Sequence, residues 1–309
     1  MRKKIEKFYE QRDLEALKKM AVPQKRTQNR DQGYASVLML SAHNIKHLFK
    51  IEELDADAIM LNLEDGVAKE EKPFATVLAA LTLQRLQQCK KKLIVRVNAL
   101  DEGGEEEIGY LNAFYPDAIR IPKVKSPSDV QRAVALLDPS IELHLSVETA
   151  DAWHRLRDLR PSHQVKAFYL GVLDLFADMG LPQSLIQPDN PTMQTLLGEF
   201  LLTSRALGVK PVSFVFQEYK DTASFEAWLS LEKRMGYDAK GCIAPQQVAL
   251  VNRFFKVSDE EIRRAEAIVT RFEAEQKQGV SGFVDERYGF IDEPIYKGAC
   301  KLLGRKAKL

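Results

Sequence analysis

Three cysteines in 309 residues, Cys89, Cys242 and Cys300, are odd in number and widely spaced. That excludes a disulfide framework and offers no zinc-binding thiol pair, so a reducing compartment is expected. An excess of either charge is also lacking. The 45 Lys and Arg against 44 Asp and Glu leave a formal net charge of +1, without the bulk field that draws nucleic acid or an anionic membrane. The basic clusters, Lys90 to Lys92 and the closing "KLLGRKAKL", have no interleaved aromatics and read as solvated surface. No apolar run approaches the roughly 18 residues of a membrane span, and the first residues lack the apolar stretch of a secretory leader. A GxGxxG turn opening a helix and a phosphate-cradling glycine run are missing as well. The expectation is a cytoplasmic globular protein without nucleic-acid or membrane partners.

What is present is a rhythm. Short apolar runs occur at "SVLML" (36–40), "AIMLNL" (58–63), "LIVRVN" (93–98), "AIRIPKV" (118–124), "IELHLSV" (141–147), "AFYLGV" (167–172), "PVSFVF" (211–216) and "GCIAP" (241–245). Helical patterns such as "SPSDVQRAVALL" and "TMQTLLGEFLLTSRAL" lie between them. Strands alternating with helices imply parallel strands joined by right-handed crossovers. Eight such units suit a closed (β/α)8 TIM barrel, with a doubly wound open sheet as the alternative. The expected organisation is an N-terminal helical extension at 1–34, the barrel at 35–256 and a C-terminal helical segment at 257–309. That last segment opens with a Ser258–Glu261 capping box. Barrel closure does not require it, so it is expected to pack against something else.

Side chains alternate across a strand, and this places the chemistry. On one parity Leu93, Val95 and Val97, and likewise Leu143, Leu145 and Val147, meet the surrounding helices. The other parity carries Met60, Asn62 and Glu64, then Ile94, Arg96 and Asn98, then Glu142, His144, Ser146 and Glu148. Polar residues thus gather near C-terminal strand ends, where barrel active sites form. A buried unpaired charge is too costly to keep, so these groups should share a partner. Asp65 follows Glu64, and "YLGVLDLFADMG" puts Asp174 just past the sixth strand, with Gly171 permitting close backbone approach. Neighbouring strands lie about 4.8 Å apart, so Glu148 and Asp174 could ligate one cation. Two carboxylates plus water and substrate oxygens suit Mg2+, or Mn2+, better than zinc. Each acid could instead cap a following helix. Acids at successive strand ends facing an inward arginine favour the site. His43 and His47, at helical spacing, lack a third ligand.

At these residues the chain resembles the citrate lyase beta-subunit family, within the HpcH/HpaI aldolase superfamily that includes malyl-CoA lyases. The resemblance spans most of residues 35–305. It rests on "NLEDGVAKEEK" for a "DLEDAV…K" segment, "RVN" at 96–98, "PKV" at 122–124, Glu148–Thr149, "GVLDLFADMG", "KGCIAPQQV" and "FIDEPIYKGA", in order. It implies a Mg2+-dependent barrel enzyme that breaks or forms a carbon–carbon bond. Glu148 and Asp174 match the metal ligands, and Arg96 matches the arginine that holds the substrate carboxylate or carbonyl. Glu64 and Asp65 match acids that orient water around the ion. Asp292 matches an acid contributed to a neighbouring subunit's site, which implies a homo-oligomer, a trimer or hexamer. Asp292 also stands where a helix N-cap belongs, before Glu293 and Pro294, and the two roles are compatible.

The chemistry fits. Retro-Claisen cleavage builds negative charge on an enolate oxygen, which a divalent cation and a fixed guanidinium stabilise. The chain departs from the family pattern at Asn62, at Ala35, Ser41 and Ala42 in the first strand and loop, and at Ala239 and Ala244 near the eighth. These changes touch the mouth of the barrel and leave Glu148, Asp174 and Arg96 in place. The expected function is a Mg2+-dependent lyase, or condensing enzyme, acting on a 3-hydroxyacyl-CoA such as citryl-CoA or malyl-CoA. The alternatives are a CoA-independent aldolase of a 2-oxo acid such as pyruvate, and a non-catalytic metabolite-binding relative.

Overall fold

The computed structural model describes residues 1–23, 33–305 and 307; most of the turn-like segment 22–33 falls outside them. Chain contacts divide it into two units, Met1–Phe255 and Lys256–Leu309.

In the first unit eight parallel strands run β1 (Ser36–Ser41), β2 (Ala58–Asn62), β3 (Lys92–Arg96), β4 (Ala118–Ile121), β5 (Glu142–Val147), β6 (Val165–Leu170), β7 (Lys210–Val212) and β8 (Lys240–Cys242). They pair in the order 7-6-5-4-3-2-1-8. The ring closes at Ser213, whose N–H donates to Ala239 O at 3.0 Å and whose carbonyl accepts from Gly241 N at 3.2 Å. Behind this seam Ser213 Oγ and Lys240 Nζ both donate to Glu232 Oε1 at 2.5 Å, in a pair with no solvent exposure. The fold is a (β/α)8 barrel. Every strand begins within two residues of the start of an apolar run, because strands buried on both faces must be apolar almost throughout.

The helices of this unit are α1 (Arg2–Glu10), α2 (Leu14–Met20), α3 (Ile45–Leu48), α4 (Lys72–Arg85), α5 (Gly104–Asn112), α6 (Pro127–Leu136), α7 (Ala150–His154), α8 (Val172–Asp178), α9 (Pro191–Ala206), α10 (Thr222–Met235) and α11 (Pro245–Phe255). Local chemistry starts and stops them. Asn190 accepts from Thr192 N and Met193 N before Pro191 opens α9, and Asp221 caps α10, which ends at Gly236 with φ of 102°. Ile5 and Leu17 of α1 and α2 join the same apolar cluster as Leu93, Val95, Val97, Leu143, Leu145 and Val147. A separate cluster, with Val37, Met60, Ile94, Ala118, Ala167, Tyr169 and Ala239, fills the barrel interior. The alternation along each strand divides the two layers. Burying each valine, leucine, isoleucine or methionine of these layers contributes roughly 1.5–3 kcal/mol.

The second unit contains α12 (Asp259–Gln276), β9 (Gly282–Asp285), β10 (Gly289–Asp292) and α13 (Glu293–Leu302). The Ser258 capping box forms, with Glu261 N donating to Ser258 Oγ at 3.2 Å and Ser258 N to Glu261 Oε2 at 2.8 Å. Between the two helices of this segment, expected to be helical, β9 and β10 make an antiparallel hairpin. Its turn is fixed by Asp285, whose Oδ1 accepts from Arg287 N and Tyr288 N. The unit has its own core of Ile268, Val269, Phe272, Ile291 and Tyr296. Among the described residues no helix is long and apolar enough to cross a membrane.

Candidate active site

Five successive strands, β2 to β6, deliver the polar cluster. Asn62 closes β2 and organises the residues after it: its Oδ1 accepts from Arg96 Nε at 2.7 Å and from Glu64 N at 3.2 Å, and its Nδ2 donates to Asp65 O at 2.6 Å. The loss of a charge at this position thus leaves a residue able to donate and accept at once. Arg96 closes β3, with Nη1 3.0 Å from Glu64 Oε2 and Nη2 3.7 Å from Asp65 Oδ2. Glu64 is buried and Asp65 exposed. Neither Glu64 oxygen has a well-directed hydrogen bond, so its compensation is ionic, from Arg96 and from Lys123 Nζ at 3.4 Å. Burial raises the Glu64 pKa, against the pull of Arg96 and with a further push from Asp65 and Glu148.

Glu148 follows β5 and is 5% exposed. Its Oε1 accepts from the Lys123 backbone N–H at 2.6 Å. Lys123 holds φ of 52°, a left-handed conformation that lysine rarely adopts. Burial raises the Glu148 pKa; Arg120 and the Lys123 amide oppose the rise, and the charge of Asp174 adds to it. Gly171, after β6, makes room: a Cβ there would stand 2.5 Å from Glu148 Cβ and 2.7 Å from Oε2. Asp174 lies in the first turn of α8 and is exposed. Helix capping does not occupy these acids. Thr149 caps α7 and Gly171 stands at the N-cap of α8.

Asp65, Arg96, Arg120, Glu148, Gly171 and Asp174 line one cavity of about 270 Å³. Arg120 was not expected there. It sits on the inward parity of β4, in register with Arg96 on β3, and burial lowers its pKa to about 10. An arginine inside the apolar run "AIRI" was the available signal. Asn98, by contrast, does not face the barrel axis. It lies two residues past β3 and donates to Glu107 Oε1 at 2.6 Å and to Leu63 O at 3.2 Å, while Lys72 Nζ donates to its Oδ1. Strand parity lapses once the strand ends. His144 and Glu142 lie deeper, at the start of β5, 3.1 Å apart. His43 Nδ1 is 2.7 Å from Ser41 Oγ. Asp292 belongs to the second unit, where it accepts from Ile295 N at 3.2 Å as the N-cap of α13.

Among the described residues no group of three or more His, Cys, Asp and Glu could hold an ion unaided. Glu148 and Asp174 still fit a hard divalent cation. The donors are all oxygen, Gly171 leaves Glu148 Oε2 clear of any Cβ, and the cavity leaves the other positions to water and substrate.

The sequence profile of the HpcH/HpaI aldolase/citrate lyase family matches residues 35–245. The chain belongs to that family. It is therefore placed among carbon–carbon lyases. The chain is 34% identical over 247 residues to a (3S)-malyl-CoA thioesterase of Cereibacter sphaeroides, covering 80% of this chain and 85% of that one. It is 27% identical over 287 residues to the mitochondrial citramalyl-CoA lyase of Homo sapiens, covering 85% and 83%. Among solved structures, a citrate lyase of Burkholderia xenovorans superposes with a TM-score of 0.75 at 20% identity, covering 90% and 94%. CitE of Mycobacterium tuberculosis, in complex with magnesium, acetoacetate and coenzyme A, superposes with a TM-score of 0.69 at 22% identity, covering 90% and 99%. At those identities the structures establish the fold.

Proposed function

We propose that this chain is a Mg2+-dependent enzyme that cleaves, or in reverse forms, the carbon–carbon bond of a 3-hydroxyacyl-CoA. The observation that carries the proposal is the shared cavity in which Glu148 and Asp174, from successive strand ends, meet two arginines. Glu148 and Asp174 would hold the ion, with Mn2+ as a substitute. When bound, the cation supplies Lewis-acid stabilisation of negative charge on an oxygen.

The remaining roles fall to the protein. Arg96 is fixed by Asn62, Glu64 and Asp65 before substrate arrives. It can therefore stabilise charge on a carbonyl or enolate oxygen without reorganising. Glu64, buried behind Arg96 and paired with it and with Lys123, would hold that guanidinium in place and support the water around the ion. Asp65, exposed at the rim, would orient water. Asp292 would complete the site from a second copy of the chain, which makes a homo-oligomer part of the proposal. The names of the relatives support CoA thioesters as the substrate class.

The relative at 34% identity is named a thioesterase, which favours thioester hydrolysis as the second reading. Both readings are tested by incubating the protein with malyl-CoA and citramalyl-CoA, with and without Mg2+, and following oxo-acid and free-thiol release separately. Oxo acid appearing with acetyl-CoA supports the lyase. Free thiol appearing without oxo acid supports the hydrolase. Absence of both products overturns both readings.

A further inference from the structure

Arg96 and Arg120 are registered neighbours on β3 and β4, and both line the cavity. Like charges side by side on adjacent strands repel, so each needs compensation. Arg96 receives it from Glu64 and Asp65. Arg120 does not. It is 7% exposed, and among the described residues no carboxylate lies within ion-pairing distance of it. Its Nε donates to Ser146 Oγ at 2.9 Å, its Nη1 contacts Met60 Sδ at 3.4 Å, and its guanidinium carbon lies 4.3 Å from the centre of the Tyr169 ring. These contacts fix the direction of the fork without neutralising it. Glu148, the acid whose charge acts most on it, is bound by the Lys123 amide and is engaged by the cation in the proposed mechanism.

A buried guanidinium without an ionic partner is costly to keep, and its natural complement is a carboxylate taken by two parallel bonds. Resting on the proposed function, we propose that Arg120 is a substrate-anchoring residue. It takes a carboxylate other than the oxygens that meet the cation, and so makes the site prefer dicarboxylic 2-oxo acids, and acyl groups built from them, over monocarboxylic ones.

The test is calorimetric binding of oxaloacetate, 2-oxoglutarate and pyruvate to the Mg2+-loaded wild type, Arg120→Met and Arg120→Lys. Wild type should bind at least one diacid about tenfold or more tighter than pyruvate. Arg120→Met should bring that preference to within about twofold with pyruvate affinity unchanged, and Arg120→Lys should retain part of it. Melting curves check that each variant folds; should Arg120→Met fail, the Lys variant decides. A wild type without the preference, a variant that keeps it in full, or equal loss of all three ligands would show that Arg120 only fills the barrel. Turnover is not read in this experiment. A protein that binds diacids through Arg120 yet cleaves no acyl-CoA would overturn the lyase reading and leave this proposal standing.

Discussion

The backbone amide of Lys123 donates to Glu148 Oε1 at 2.6 Å while Lys123 itself is held at φ of 52°. A strained main-chain conformation on the loop after β4 thus aims the carboxylate that follows β5. Glycine adopts that conformation freely. Lys123→Gly should keep the amide contact, change stability by no more than about 1 kcal/mol, and weaken Mg2+ binding less than tenfold. Lys123→Pro removes the donor and cannot adopt the required φ. It should lose most cation affinity in calorimetry, and equal affinities for the two variants would refute the role of the amide.

Glu148→Gln should act on stability and on activity in opposite directions. Replacing a buried carboxylate with a neutral isostere removes a desolvation cost, so the melting temperature of the metal-free protein should rise. Cation affinity should fall about a hundredfold and turnover should vanish. Asp174→Asn, at an exposed position, should lose affinity similarly with the melting temperature nearly unchanged. Retained Mg2+ dependence of turnover in Glu148→Gln would exclude it as a ligand.

Gly171→Ala tests the close approach of β6 to Glu148. The added Cβ would stand 2.5 Å from Glu148 Cβ, so one of the two must move. Overpacking of this kind costs about 1–3 kcal/mol. Thermal denaturation should register that loss together with weaker cation binding. A variant as stable as wild type with undiminished affinity would show that the strand relaxes freely.

Acid should reveal a contribution from the bottom of the barrel. Glu142 lies 2.6 Å from Lys92 Nζ and 3.1 Å from His144 Nε2. Burial alone would raise its pKa, but the His144 and Lys92 contacts outweigh burial and bring it from 4.5 to about 2. A carboxyl whose folded pKa lies below its unfolded one adds stability above the unfolded value and loses it as pH falls through the folded value. Glu142→Gln should therefore melt lower than wild type at neutral pH, with the deficit shrinking from about pH 4.5 to about pH 2. A deficit independent of pH in calorimetric scans would contradict this.

The barrel was legible because its strands are buried on both faces, which leaves eight apolar runs that can be counted along the chain. Parity within a strand also carried through: Met60 and Ile94 fill the interior while Leu93 and Val95 meet the helices. Besides Arg120, three features escaped. Asn98 lies beyond the last residue of β3, where alternation no longer governs direction, and pairs with Lys72 and Glu107. Lys123 acts through a backbone angle that no residue type announces. The hairpin of β9 and β10 is short and carries Phe290 and Val284 largely exposed, so it lacks the apolar weight by which strands are recognised.

The eighth strand meets the seventh through only two backbone bonds at Ser213, in contrast to the five registered residues shared by β1 and β2. Phe214, Val215 and Gln217, just past that junction, line the same cavity as Arg96 and Glu148. The sparsely bonded joint of the barrel and one side of the cavity are thus one place. Any change that loosens the joint at Ser213 would therefore also shift a wall of that cavity.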